Sequence, residues 1–141
     1  EIGMVLDLLL LITSDQPGEA ISYINQLVED GVDLEIFAKE FVELLRKLIL
    51  IKSEARKTEW FGLSNKITKQ VKDILDQVDM FKLSQITKAF LQALVEIKDN
   101  PIIQLPFELA IIQLCKSSNQ QIDSNFNLNT SNYSDTKILD N

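Results

Sequence analysis

Histidine is absent from the 141 residues, and the chain has only four glycines, three prolines and one cysteine. Each shortage removes a class of chemistry. Without histidine there is no histidine-containing zinc site, no Ser–His–Asp triad and no imidazole general base. A lone Cys115 allows no internal disulfide and cannot make an all-cysteine zinc site. It fits a reducing compartment, and within "AIIQLC" it reads as a small buried hydrophobe rather than a reactive thiol. No Gly-rich loop precedes a helix, which excludes a phosphate-binding loop and a dinucleotide fingerprint. Catalysis would have to rest on carboxylates or lysines, and no cofactor is expected.

Long apolar runs are also missing. The longest candidate opens the chain, "EIGMVLDLLLLITSDQPGEA", where Asp7 is the one polar residue between Met4 and Ile12. A membrane-spanning helix needs roughly 20 apolar residues, more than twice this run. A signal peptide starts basic, whereas Glu1 comes first here and no Lys or Arg precedes Lys39. The reading is a soluble, cytoplasmic chain without a membrane partner, and its non-Met start suggests a piece of something longer. A net charge of −7 argues against direct nucleic-acid binding. Hydrophobic residues, at 45%, suffice for a core.

What is present is helical punctuation. After the opening helix, "SDQPGEA" stops and restarts the chain, with Asp15 or Gln16 as cap and Pro17 near the first helical position. Ala20, Ile21, Ile24, Leu27 and Val28 recur at helical spacing until Gly31, the expected left-handed residue. Asp33 caps a third helix whose stripe is Leu34, Phe37, Phe41, Leu44, Leu45 and Leu48, running to about Lys57. "TEWFGLSN" breaks it. Ser64 or Asn65 caps a fourth helix with Ile67, Val71, Ile74, Leu75 and Val78 inward. Asp79 caps a fifth, facing the core with Leu83, Ile86, Phe90, Leu94 and Ile97. "KDNP" ends it, and Pro106 opens a sixth. No segment alternates with period two. The fold class is therefore all-α, a bundle of five or six helices over residues 1–116. From Ser117 the composition turns to Asn, Ser, Asp and Gln, so 117–141 reads as a disordered tail or linker. Its scattered Ile122, Phe126 and Leu128 leave a docking motif open.

No catalytic or metal residues emerge. The basic residues Arg46, Lys47, Lys52, Arg56 and Lys57 fall late in the third helix, where they complement its dipole; the alternative is a surface for an acidic partner or a nucleic-acid backbone. Acidic residues such as Glu19, Glu29 and Glu35 lie at helix starts or polar faces, without the apolar setting that would make an acid catalyst. Trp60 and Phe61 either plug the core or anchor a neighbour. The apolar excess is the stronger signal. Val5, Leu8, Leu9 and Ile12 make one face of the first helix, while Met4, Leu6, Leu10 and Leu11 lie off it. The third helix adds Ile36, Val42, Ile49 and Leu50. The sixth has Leu105, Leu109 and Ile112 as well as Phe107, Ile111 and Leu114. A small bundle covers one stripe per helix, two for a central helix. The candidate subunit-interface residues are Leu6, Leu10, Leu11 and Leu50.

Three passages carry a family resemblance. The first, "MVLDLLLLITSDQPGEAISYINQLVEDGVDLEIFAKEFVELLRKLILIK", has a leucine-rich helix, a polar break, a small-residue helix and Gly-Val-Asp before a long helix. The second is the paired-helix region "ILDQVDMFKLSQITKAFLQALVEIKDNP", and the third is "LPFELAIIQLC". Their order and spacing resemble the C-terminal collar domain of bacterial DNA polymerase III subunit gamma/tau, the clamp-loader ATPase. The resemblance covers about residues 1 to 116. It implies an oligomerisation domain that joins self and other clamp-loader subunits in a ring, which loads the sliding clamp during DNA replication. Polymerase or helicase contacts would lie beyond the tail. The ATP site does not transfer, because GxxxxGK[ST] does not occur here. The alternatives are a generic helical adaptor unrelated to replication and an enzyme working through carboxylates or lysines.

A core that looks complete without a ligand set predicts folding without metal or nucleotide. Far-UV circular dichroism in EDTA should give a helical spectrum with one cooperative melt; a melting point that depends on metal or ATP contradicts this.

Overall fold

The structure, a computed structural model, describes residues 2–57 and 62–115. These residues form six α-helices: α1 (Ile2–Thr13), α2 (Pro17–Glu29), α3 (Leu34–Lys52), α4 (Asn65–Gln77), α5 (Met80–Glu96) and α6 (Leu105–Leu114). A 3-10 turn at Ile97–Asp99 follows α5. No strand occurs among the described residues. The all-α reading holds, with six helices. Trp60, Phe61 and the segment from Ser117 lie outside the described residues, as do the expectations placed on them.

Local chemistry sets most helix starts. The Asp33 carboxylate accepts from the Ile36 N–H at 3.0 Å, and the Asp79 carboxylate from the Lys82 N–H at 2.7 Å. Ser64, not Asn65, caps α4, accepting from the Ile67 N–H at 3.4 Å. Caps of this kind contribute about 1 kcal/mol each. Gln16 occupies the cap position of α2 but makes no side-chain cap bond, and Pro17 follows it directly.

Three helix ends turn through left-handed residues. Gly31 does so at φ 81°, as its lack of a Cβ favours. Val32 N–H then closes the end on the Leu27 carbonyl at 2.9 Å. Asp15 at φ 56° plays this role for α1, so it terminates α1 rather than capping α2. Its N–H and that of Gln16 reach the Ile12 and Leu11 carbonyls at 3.2 and 3.0 Å. Glu54 at φ 61° ends α3 at Lys52, five residues short of the expected Lys57. The N–H groups of Glu54 and Arg56 bond back to Ile51 and Leu50. With no glycine to mark it, that stop was hidden in a charged run.

The packing forms a closed circuit. α1 touches α2 and α3; α2 touches α6; α6 touches α5; and α5 returns to α3. α4 leans on α3 from outside that circuit. At the meeting of α3, α5 and α6 sit Phe41, Phe90 and Phe107, all essentially without solvent contact. Phe41 and Phe90 stack edge to face at 4.5 Å and 62°, and Phe90 and Phe107 lie 6.0 Å apart, within the favoured range for aromatic pairs.

Polar ties fasten helices across the circuit. Tyr23 on α2 donates its hydroxyl to the Met4 carbonyl of α1 at 3.1 Å. Burial first, and the nearby Asp7 second, push its pKa up. The Lys82 ammonium of α5 donates to the Leu114 carbonyl at the end of α6 at 2.8 Å, and Lys52 of α3 donates to the Leu75 carbonyl near the end of α4. Each places a cation on carbonyls left without intrahelical partners. Cys115 is a buried free thiol, pushed up in pKa by burial first and by its hydrogen bond to Asp15 second. It stays protonated near neutral pH, as a packing residue should.

The aromatic junction generates a stability prediction. Phe90→Ala should destabilise the domain by about 3–5 kcal/mol, read by urea denaturation with circular dichroism. A loss under about 1 kcal/mol would mean that the three-helix junction is not the centre of the core.

Candidate protein-interaction surface

Among the described residues no group of His, Cys, Asp or Glu side chains is placed to hold a metal ion. Shallow openings lie among the described residues. A groove of about 220 Å³ runs between α1 and α3, lined by Ile2, Val5, Leu44, Glu40, Glu43 and Lys47. A dish on the other side is lined by Leu11, Gly18, Glu19, Ser22, Tyr23 and Gln26. Both are shallow and open to solvent, unlike the concave, largely enclosed pockets that bind small molecules. The surface features that remain are charged and apolar faces.

The basic cluster is dispersed rather than gathered. Arg46 pairs with Glu43 at 3.4 Å one turn away. Lys52 is used internally on α4. Arg56 and Lys57 lie past the end of α3, so the dipole reading applies to Lys52 and not to them. Lys66, Lys69 and Lys72 stand exposed on α4, with exposed Asp73 and Asp76 directly after them on the same helix. The pairs Glu43–Arg46 and Glu35–Lys39 are exposed i,i+3 and i,i+4 contacts, which water screens and which anchor nothing in the fold.

The four leucines singled out from the sequence part company. Leu6 is 1% exposed and belongs to the core, so it is withdrawn as a surface contact. The reason is geometric. α1 has both α2 and α3 against it, and from Leu8 round to Leu6 the covered arc spans roughly 160° at 100° per residue, wider than the single stripe assumed. Leu10 is 38% exposed. Leu11 is half-buried against the core, and Leu50 is half-buried on α3. The opening helix is thus largely consumed within its own bundle, where Val5, Leu8, Leu9 and Ile12 are also buried.

The uncovered apolar surface lies mainly elsewhere. On α6 the buried side is Pro106, Phe107, Ala110, Ile111 and Leu114. The opposite side is Leu105, Leu109 and Ile112, at 37%, 46% and 49% exposure. Their i, i+4, i+7 spacing makes one continuous stripe, and the loop before it adds exposed Ile102 and Ile103. On α5, Leu91 and Val95 are 47% and 67% exposed one turn apart, and Phe81 is exposed near the helix start. Ile36 on α3 is exposed as well. Periodicity marked the α6 surplus in the sequence. It passed over α5, because Leu91 and Val95 stand outside a core stripe that was already complete.

The result is a helix apolar on both sides, with one side left uncovered. No helix among the described residues is long and apolar enough to cross a membrane. No curated protein and no solved structure gives a significant match to the chain. The family of DNA polymerase III subunits gamma and tau domain III matches residues 2–125, spanning every helix described above, and the chain belongs to that family.

Proposed function

We propose that this clamp-loader domain is an oligomerisation module, a collar that gathers gamma/tau copies and other clamp-loader subunits into a ring. The observation that carries the reading is the uncovered apolar stripe of α6, Leu105, Leu109 and Ile112, on a helix whose other side is already packed. In this reading the domain has no catalytic task of its own. It holds neighbouring ATPase modules in register while they open the sliding clamp. Leu10, Leu11 and Leu50 stand as proposed contacts at the margin of the association, Leu10 first because it is the most exposed.

Small uncovered stripes imply weak contacts. Each becomes effective when several are linked, because one contact raises the local concentration for the next. Association of the domain alone should therefore be reversible and concentration-dependent.

Sedimentation velocity should find the 141-residue chain monomeric at low concentration and in defined oligomers as its concentration is raised. Leu10→Ser should weaken that association by a few-fold without changing the helical spectrum or the melting temperature by more than about 2 °C. A chain that stays monomeric at every concentration, and also when mixed with the other clamp-loader subunits, overturns the oligomerisation reading.

A further inference from the structure

The end of α6 is held by two other elements. The Lys82 ammonium of α5 donates to the Leu114 carbonyl at 2.8 Å, and the Cys115 side chain is hydrogen-bonded to Asp15 in the turn between α1 and α2. Phe107, Ala110, Ile111 and Leu114 pack inward. The inner side of the helix end is therefore closed. The side left for the chain to continue is the outer one, which carries Leu105, Leu109 and Ile112. The family match continues to residue 125, so the domain's sequence pattern does not stop with the helix.

The residues that follow have the composition of an occupant for that stripe rather than of a charged spacer. Between Lys116 and Asp135 the one charge is Asp123, and the first apolar residues are Ile122, Phe126 and Leu128. A second copy of this chain approaches with a net charge of −7 and is repelled by the first. The near-neutral stretch 117–134 meets no such repulsion. It is also tethered. Residues 116–121 reach up to about 20 Å, and the stripe from Leu105 to Ile112 spans roughly 10 Å at 1.5 Å per residue. A short tether holds its segment at an effective concentration of about millimolar. An attraction too weak to join two dilute chains then still closes within one.

We propose that the segment 122–128 folds back on the α6 stripe, setting Ile122, Phe126 and Leu128 against Leu105, Leu109 and Ile112, and covers it until a neighbouring subunit displaces it. This deepens the oligomerisation reading by giving the same surface an internal competitor. It rests on that reading for the displacement alone, since the docking belongs to a single chain. A neighbour gains the stripe only by as much as it outbinds the segment, so the tail sets the concentration at which assembly begins.

A nitroxide in the segment reads the docking directly. Ser124→Cys carries the label, with Cys115→Ala so that no second thiol reacts, at a concentration where sedimentation velocity finds monomer. The methyl NMR signals of Leu105, Leu109 and Ile112 should broaden most, well beyond those of Leu91 and Val95 on α5 or of Leu11 beside the α1–α2 dish. Uniform broadening, or broadening strongest at Leu11 or on α5, overturns the proposal. A second variant keeps Cys115 and changes Ile122, Phe126 and Leu128 to Ser together. It should shift the same three α6 signals in the monomer and strengthen self-association by about threefold or more, because the stripe is then free in every chain. A triple change that moves neither the signals nor the association overturns the docking, and one that moves the signals alone overturns the competition. A chain that shows the nitroxide effect but never associates, alone or with other clamp-loader subunits, overturns the oligomerisation reading and leaves the docked segment standing.

Discussion

Phe90 is the side chain on which the arrangement turns. It meets Phe41 of α3 edge-on at 4.5 Å and lies 6.0 Å from Phe107 of α6, so one residue of α5 joins the middle of the chain to its last described helix. That junction holds α6 against α5, while Ala110, Ile111 and Leu114 complete its buried side and α2 meets it from the other flank. Once α6 is held in this way, its second apolar side has no partner left among the described residues. The exposed stripe is thus a consequence of the core. A fold that buries one side of a ten-residue helix lacking a polar face must present the other.

The closed circuit also explains why the opening helix behaves differently. α1 has neighbours on two sides and buries Val5, Leu6, Leu8, Leu9 and Ile12, leaving Gly3, Asp7 and Leu10 as its outer edge. A helix with two neighbours absorbs a wide apolar arc. α6 has two neighbours as well, yet Leu105, Leu109 and Ile112 lie beyond the arc they cover. The same excess of leucine and isoleucine is core in one place and surface in the other. The deciding quantity is how much of the helix circumference its neighbours reach.

That quantity is what the sequence could not show. Helix number, the cap at Asp33, the turn at Gly31 and the core stripe of α3 were all legible, because each depends on residues within a few positions of one another. The end of α3 at Lys52 was not, since the left-handed residue there is Glu54 and nothing in its type announces it. Leu6 was placed off the core because periodicity describes one helix at a time. The lysine ties from Lys52 to Leu75 and from Lys82 to Leu114 join positions far apart in sequence, and no local pattern encodes them. The family was legible from the order of the helices, and the match over residues 2–125 agrees with it.

The central claim is that the domain is complete in its core and incomplete on two faces. Methyl-resolved NMR of the 141-residue chain over a concentration series tests it most directly. The signals of Leu91, Val95, Leu105, Leu109 and Ile112 should shift together as concentration rises, while those of Val71, Ile74 and Leu75 on α4 and of the buried Leu8 and Leu9 stay in place. Shifts centred on α4 or on the buried methyls, with α5 and α6 silent, would contradict it.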